Sequence, residues 1–294
     1  MSGVLWATVS GIGFGIFQSL NRRAIRGIED PYVSTFVQLA VATAILVVAS
    51  LVSEDLSQLG DASAGTIAIF ALAGVVHFVL GWLLLNVSQA RIGASRTAPL
   101  ITLTPLFGTV LAVLLRGELP SAGALAAIVP IMVGAWLLAS RGSGGVAIER
   151  DSIFAFGTAF MWALSAVLTV EALEGLDSPL LGVTLGLLAA TVALGGALVA
   201  RGSLGTALRS IARNTLALKV AAAVLVAFAT WFRLLALGEA DVAVVLAANL
   251  VSVPVVLVLA PMMVGRHLEQ ADARIWLGGA LVAGGILALI AIAG

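Results

Sequence analysis

The chain has 294 residues, of which 61% are apolar and 10% charged, with a mean hydropathy of +1.15; soluble domains carry roughly 25% charged residues, so a water-soluble globule is excluded. Its 15 basic and 15 acidic residues cancel, which excludes the basic surface that a nucleic-acid partner requires. Cysteine is absent, so disulfides and thiolate metal sites are excluded as well.

Helices of about 20 apolar residues cross a hydrocarbon core of roughly 30 Å. Ten such segments follow one another at 3–20, 32–52, 64–86, 97–115, 121–140, 152–172, 178–200, 215–237, 241–264 and 275–293. The reading is therefore an all-α integral membrane protein of ten transmembrane helices. The first segment lacks a basic n-region and a small-residue cleavage site, so it reads as a helix and not as a signal peptide. The loops are about a dozen residues at most, which leaves no room for a separate extramembrane domain.

The second half repeats the first at a spacing of about 150 residues. Pro31 recurs as Pro179, Trp82 as Trp231, Pro105 as Pro254 and Gly134 as Gly284. Loop charges reverse between the copies. Arg22, Arg23 and Arg26 follow the first segment, whereas Glu171, Glu174 and Asp177 follow the sixth; Glu54, Asp55 and Asp61 follow the second, whereas Arg201, Arg209 and Arg213 follow the seventh. Equivalent loops then face opposite sides of the membrane, as in inverted transporter repeats. We divide the chain into a first five-helix repeat, 1–142, and a second, inverted one, 143–294. Of the 15 Lys and Arg residues, only Arg116 and Arg233 fall on one side; Lys219 is counted with the other thirteen. The positive-inside rule makes the thirteen-residue side cytoplasmic and puts both termini outside the cytoplasm.

Function is bounded first by what is missing. No phosphate-loop GxxxxGK[ST] occurs, so ATP is not the direct energy source, and no DDxxD, HExxH or paired histidine cluster points to a metalloenzyme. No enzyme activity, cofactor or metal is expected. All fifteen acidic residues lie in loops or near helix ends, so no carboxylate sits at the bilayer midplane to carry protons. His77 alone could do so; it reads either as a hydrogen-bonded core histidine or as a cavity-lining group. Pro105 and Pro254, at equivalent depth, each free a backbone carbonyl one turn earlier and are candidates for shaping or gating a cavity. Asn249, five residues before Pro254, could meet substrate or bond a neighbouring helix. Ser252, Thr97, Thr102, Thr104, Gln18, Gln38 and Thr230 are the other polar residues within spans. Trp162, Trp82 and Trp231 divide between cavity wall and packing, and Arg233 is read as snorkelling to the interface. Gly11, Gly13 and Gly15, with Gly278, Gly279, Gly284 and Gly285, read as helix contacts, the second group as a weak dimer face.

These features, with Arg116-Gly117-Glu118 just after the fourth helix, resemble the drug/metabolite transporter superfamily, EamA type. Within it the chain looks most like the YddG-type exporters of aromatic and neutral amino acids in bacterial inner membranes. In the second half Gly265-Arg266-His267 departs from the Gly-Glu pair expected there. The resemblance implies a cavity between the halves, lined by His77, Trp82, Thr97, Trp162, Trp231, Asn249 and Ser252 with Pro105 and Pro254 as kinks. It implies export of small neutral or zwitterionic metabolites, foremost amino acids, by alternating access. With no midplane carboxylate, export is read as facilitative; a proton-coupled multidrug exporter of the same fold is the alternative. The expected partners are the solute and the lipid bilayer.

Overall fold

A computed structural model describes residues 2–28, 30–92, 97, 100–139, 150–202, 204–264 and 273–293. It is all-helical among these residues, and a helix coincides with each of the ten expected segments: α1 Ser2–Ile25, α2 Pro31–Ser53, α3 Ala64–Arg91, α4 Thr104–Arg116, α5 Ala122–Ala139, α6 Ile153–Leu173, α7 Pro179–Ala200, α8 Arg213–Glu239, α9 Val242–Val264 and α10 Ala273–Ala293. Six are long and apolar enough to cross a membrane; in the other four the described apolar stretches are shorter, Thr104–Arg116, Ala122–Leu137, Val242–Val256 and Leu277–Ile292. Large apolar side chains cover the outside, with Val52 82%, Leu114 73% and Val192 71% exposed. Such a surface is stable only under lipid, so the chain is a multi-pass membrane protein.

Start signals sit where local chemistry puts them. Asp30 accepts from the backbone N–H groups of Tyr32 and Val33 and precedes Pro31 at the head of α2; Ser178 accepts from Leu181 N–H and precedes Pro179 at the head of α7. Proline lacks an N–H that the first turn cannot use, so these equivalent positions open helices at little cost.

Packing respects an exchange of each helix with the one five places on. The α1–α8 contact has its counterpart in α6–α3, α1–α9 in α6–α4, and α2–α8 in α7–α3, while α2–α7, α4–α9 and α5–α10 map onto themselves. Two residues 148 positions apart, Thr43 and Thr191, meet each other through their hydroxyls at 2.7 Å.

Three expectations change. The fourth span is interrupted: residues 102–103 form a turn, and α4 starts at Thr104 with Pro105 in its first turn. Pro105 therefore opens a helix instead of bending one. The carbonyl it leaves without an N–H, that of Ile101, accepts from Thr104 Oγ1 at 2.7 Å. α9 remains helical through Pro254 but tightens to a 3-10 turn at Asn249–Val251. Lys219, counted above as a loop charge, lies fully buried in the second turn of α8. Its ammonium donates to Asn21 Oδ1 of α1 and, at 2.8 Å, to Gln38 Oε1 of α2. The reason is length: α1 runs on to Ile25 and α8 starts at Arg213, so Asn21 and Lys219 lie inside the bundle.

Candidate transport cavity

A cavity of about 60 Å³ opens where the interrupted fourth span faces the 3-10 turn of α9, room for a few water molecules. Phe14 and Gln18 of α1, His77 of α3 and Trp162 of α6 form one part of its wall. Ile101 and Thr104 at the α4 break, Arg233 of α8, and α9 from Leu246 to Val256 form the rest. Phe14 and Trp162, 148 positions apart, meet with ring centroids at 6.4 Å.

His77 lies in a π-helical stretch of α3, Val75–Gly81, a local widening that recurs at functional sites. Its ring stacks on Trp162 with centroids at 5.8 Å. Gly81 makes room for that indole, since a Cβ there would lie 2.6 Å from Trp162 Nε1. Ser165 Oγ lies 2.8 Å from His77 Nδ1, and Arg233 Nη1 lies 3.1 Å from the same nitrogen. Guanidinium only donates, so Nδ1 is the acceptor and the ring proton sits on Nε2. Among the described residues that buried Nε2–H finds no partner.

Arg233 reverses the snorkelling expectation. The residue is 4% exposed, and its Nη2 donates to Trp162 O at 3.1 Å. α8 continues to Glu239, so six residues, about 9 Å of helix, separate Arg233 from the end. Its neighbour Trp231, about 200° around the helix, stacks on Phe232 with centroids at 5.8 Å. No carboxylate pairs with Arg233 among the described residues. The sequence held two signals, an Arg within an apolar run and a helix long enough to bury it, but no indication of helix rotation.

Asn249 lines the cavity and also binds α1, donating through Nδ2 to Ala7 O at 3.2 Å and Ser10 Oγ at 3.1 Å. The bond to a neighbouring helix is thus present, on a residue that also faces the cavity. Ser252 lines the wall beside it. Trp82, Thr97 and Trp231 lie off this cavity. Trp82 is 1% exposed and packs on Phe17 and Phe78; Thr97 shares a 2.7 Å hydroxyl contact with Ser88. Residues such as Thr104, Gln18 and Phe14 take the wall positions instead. No cluster of three or more His, Asp or Glu side chains gathers among the described residues.

Ion pairs close both ends of α6. Before its start Asp151 pairs with Arg91 at 2.9 Å; at its far end Arg116 reaches Glu171 at 2.5 Å and Glu174 at 2.6 Å, and Glu118 at 2.6 Å. Gly117, with φ of 68°, turns the chain back so that Glu118 can join. The counterpart Gly265-Arg266-His267 lies outside the described residues.

Residues 1–140 match the model of the EamA-like transporter family. Over 154 residues, 52% of this chain, the sequence is 27% identical to a non-green-plastid triose phosphate/phosphate translocator of Brassica oleracea var. botrytis and covers 35% of it. Over 154 residues it is 29% identical to phosphoenolpyruvate/phosphate translocator 1 of Arabidopsis thaliana, covering 34%. The chain thus spans about a third of the length of these relatives. A protein crystal structure superposes with a TM-score of 0.69 at 17% identity, covering 98% of this chain and 97% of that one, which establishes likeness of fold. The family and these relatives are transporters, not enzymes. Both relatives are named as phosphate translocators, so the narrower likeness to amino-acid exporters finds no support in them.

Proposed function

We propose that this chain, whose first 140 residues match the EamA-like transporter family, is a secondary metabolite transporter whose two inverted five-helix halves, 1–142 and 143–294, rock around the mid-depth cavity. The observation that carries the reading is the pairing of an interrupted fourth span with the 3-10 turn of α9 at one cavity. Irregular backbone at membrane depth is tolerated only where it is buried or lines a water-filled space, and paired broken helices are where such carriers bind solutes. The five-place symmetry of the helix contacts supports the two halves. The proposed site comprises His77, Trp162, Asn249 and Ser252 with Arg233 and Thr104, and Pro105 and Pro254 hold the two irregular turns. The proposed setting is a bacterial inner membrane with both termini outside the cytoplasm.

Among substrates, small zwitterionic metabolites, amino acids first, suit a cavity with aromatic walls and amide and hydroxyl oxygens. The names of the plastid relatives favour a second reading, phosphate or phosphorylated metabolites. A proton-coupled exporter of apolar cations suits the site least, because among the described residues its one charged wall residue is Arg233. Liposomes loaded with labelled phenylalanine, threonine or a phosphorylated three-carbon acid are expected to release at least one of them without an imposed pH gradient. Release that stops when pH is equalised would rule out the facilitative mode and direct attention to His77 and Lys219. His77→Ala and Asn249→Ala should each slow release about tenfold or more at unchanged folded yield, each losing one hydrogen-bonding group. Wild-type rates in both would remove them from the site.

A further inference from the structure

We propose that the cavity recognises one anionic group of its substrate, a carboxylate or a phosphate, on the guanidinium of Arg233. The inference rests on the cavity being the transport site. Arg233 is 4% exposed, lines the cavity and has no carboxylate partner among the described residues. Two of its N–H groups go to Trp162 O and His77 Nδ1; guanidinium has five, which leaves three (5 − 2) for a ligand. A buried cation without a counter-charge is costly in a membrane protein, and a substrate anion supplies that charge.

The neighbouring chemistry points the same way. His77 Nε2–H is a second buried donor without a partner, in a histidine that lines the same cavity and is 4% exposed. The histidine stays neutral while Arg233 donates to its other nitrogen, so its role toward an anion is that of a hydrogen-bond donor. Gln18, Asn249, Thr104 and Ser252 are uncharged. Their oxygens can take the ammonium of a zwitterion but cannot balance a net cation beside Arg233. One repeat earlier the position of Arg233 is Leu84 (233 − 149), so among the described residues the wall holds one fixed charge and matches one anionic group. Phe14 and Trp162 supply the apolar surface for the remainder of the solute.

The test is binding to the purified full-length protein in nanodiscs, followed by calorimetry. The probes are phenylalanine, phenylalaninamide, 3-phenylpropionate and inorganic phosphate. Phenylalaninamide lacks the carboxylate and is expected to bind at least about tenfold more weakly than phenylalanine, the loss of one charge-assisted contact. 3-Phenylpropionate should keep most of the affinity. Phosphate that competes with 3-phenylpropionate identifies a site open to both anions; phosphate that does not compete identifies a carboxylate site. In Arg233→Gln the preference for acid over amide should vanish, and in Arg233→Lys part of it should return. The proposal is overturned by equal affinity of acid and amide, by wild-type affinity in Arg233→Gln, or by binding of none of the four. Where Arg233→Gln yields no folded protein, the acid and amide pair on the wild type decides alone. Anions that bind but are not released from liposomes would leave this recognition standing and remove the transport reading instead.

Discussion

Replacing Arg116 with alanine is expected to speed thiol labelling of a cysteine at position 246 by about tenfold from the Glu171 side of the membrane. The arginine fixes the end of α4 to the end of α6 by contacts of 2.5 and 2.6 Å to Glu171 and Glu174, and its own side chain is 12% exposed. Both glutamates are more than half exposed, so each contact is screened and contributes within about 0.2–1 kcal/mol. Two such contacts across an interface, with Glu118 holding the fork in place, amount to roughly 0.4–2 kcal/mol, the upper part of which shifts a two-state opening by about an order of magnitude. Leu246 is a suitable reporter because it is 4% exposed, lines the cavity and packs against Gly108 of α4. The chain has no cysteine of its own, so Leu246→Cys gives a single label site. High salt should act in the same direction as the substitution, because exposed pairs weaken as the Debye length shrinks. Equal labelling rates with and without Arg116, at low and high salt, would show that the fork decorates this end and does not hold it shut. Arg91 and Asp151, both about half exposed at the other end of α6, form a single pair, and breaking it should change labelling less.

The elements were legible because apolar length is a strong signal: each of the ten segments coincides with a helix, α2 and α7 within one or two residues at each end. Ends were less so where polar residues continue a helix inward, as Asn21 and Arg22 do in α1. Of the cavity wall, the parts that depend on depth were readable, namely His77, Trp162, Asn249 and Ser252, which line it from within their spans. The parts that depend on rotation were not. Trp231 and Arg233 share a depth but differ by about 200° around α8, and only contacts with α3 and α6 decide that Arg233 turns inward. Lys219 shows the same gap: nearly four turns from Arg233, the next charge inward, it reads as a helix-end lysine until Asn21 and Gln38 are seen to cover it. Trp82 is not a wall residue of this cavity because its ring is buried against Phe17 of α1 and Phe78 of α3.

Glycines give the second large effect, and it falls where no motif pointed. Gly74→Ala is expected to abolish folded protein, because a Cβ at this position would lie 2.2 Å from both the Cα and the carbonyl oxygen of Gly186. The obstacle is backbone, which cannot swing aside as a side chain does, so α3 and α7 must move apart along a buried crossing. Overpacking of this kind typically costs about 1–3 kcal/mol and more where backbone is the obstacle. The expected reading is loss of the monodisperse peak in size-exclusion chromatography. Gly186→Ala should be milder, since its nearest atom, Gly74 Cα, is 3.1 Å away. Gly196 sits on the same α7 with nothing within 4 Å, so Gly196→Ala should raise the unfolding temperature through the roughly 0.5–1 kcal/mol that alanine contributes over glycine inside a helix. The glycines picked out by their spacing divide in the same way. Gly11, Gly15 and Gly285 would put a Cβ within 2.6 Å of a neighbour, while Gly279 and Gly284 face open space. Close approach therefore follows from which face a helix turns to its partner, and a folded, monodisperse Gly74→Ala protein would show that the α3–α7 crossing can widen without loss.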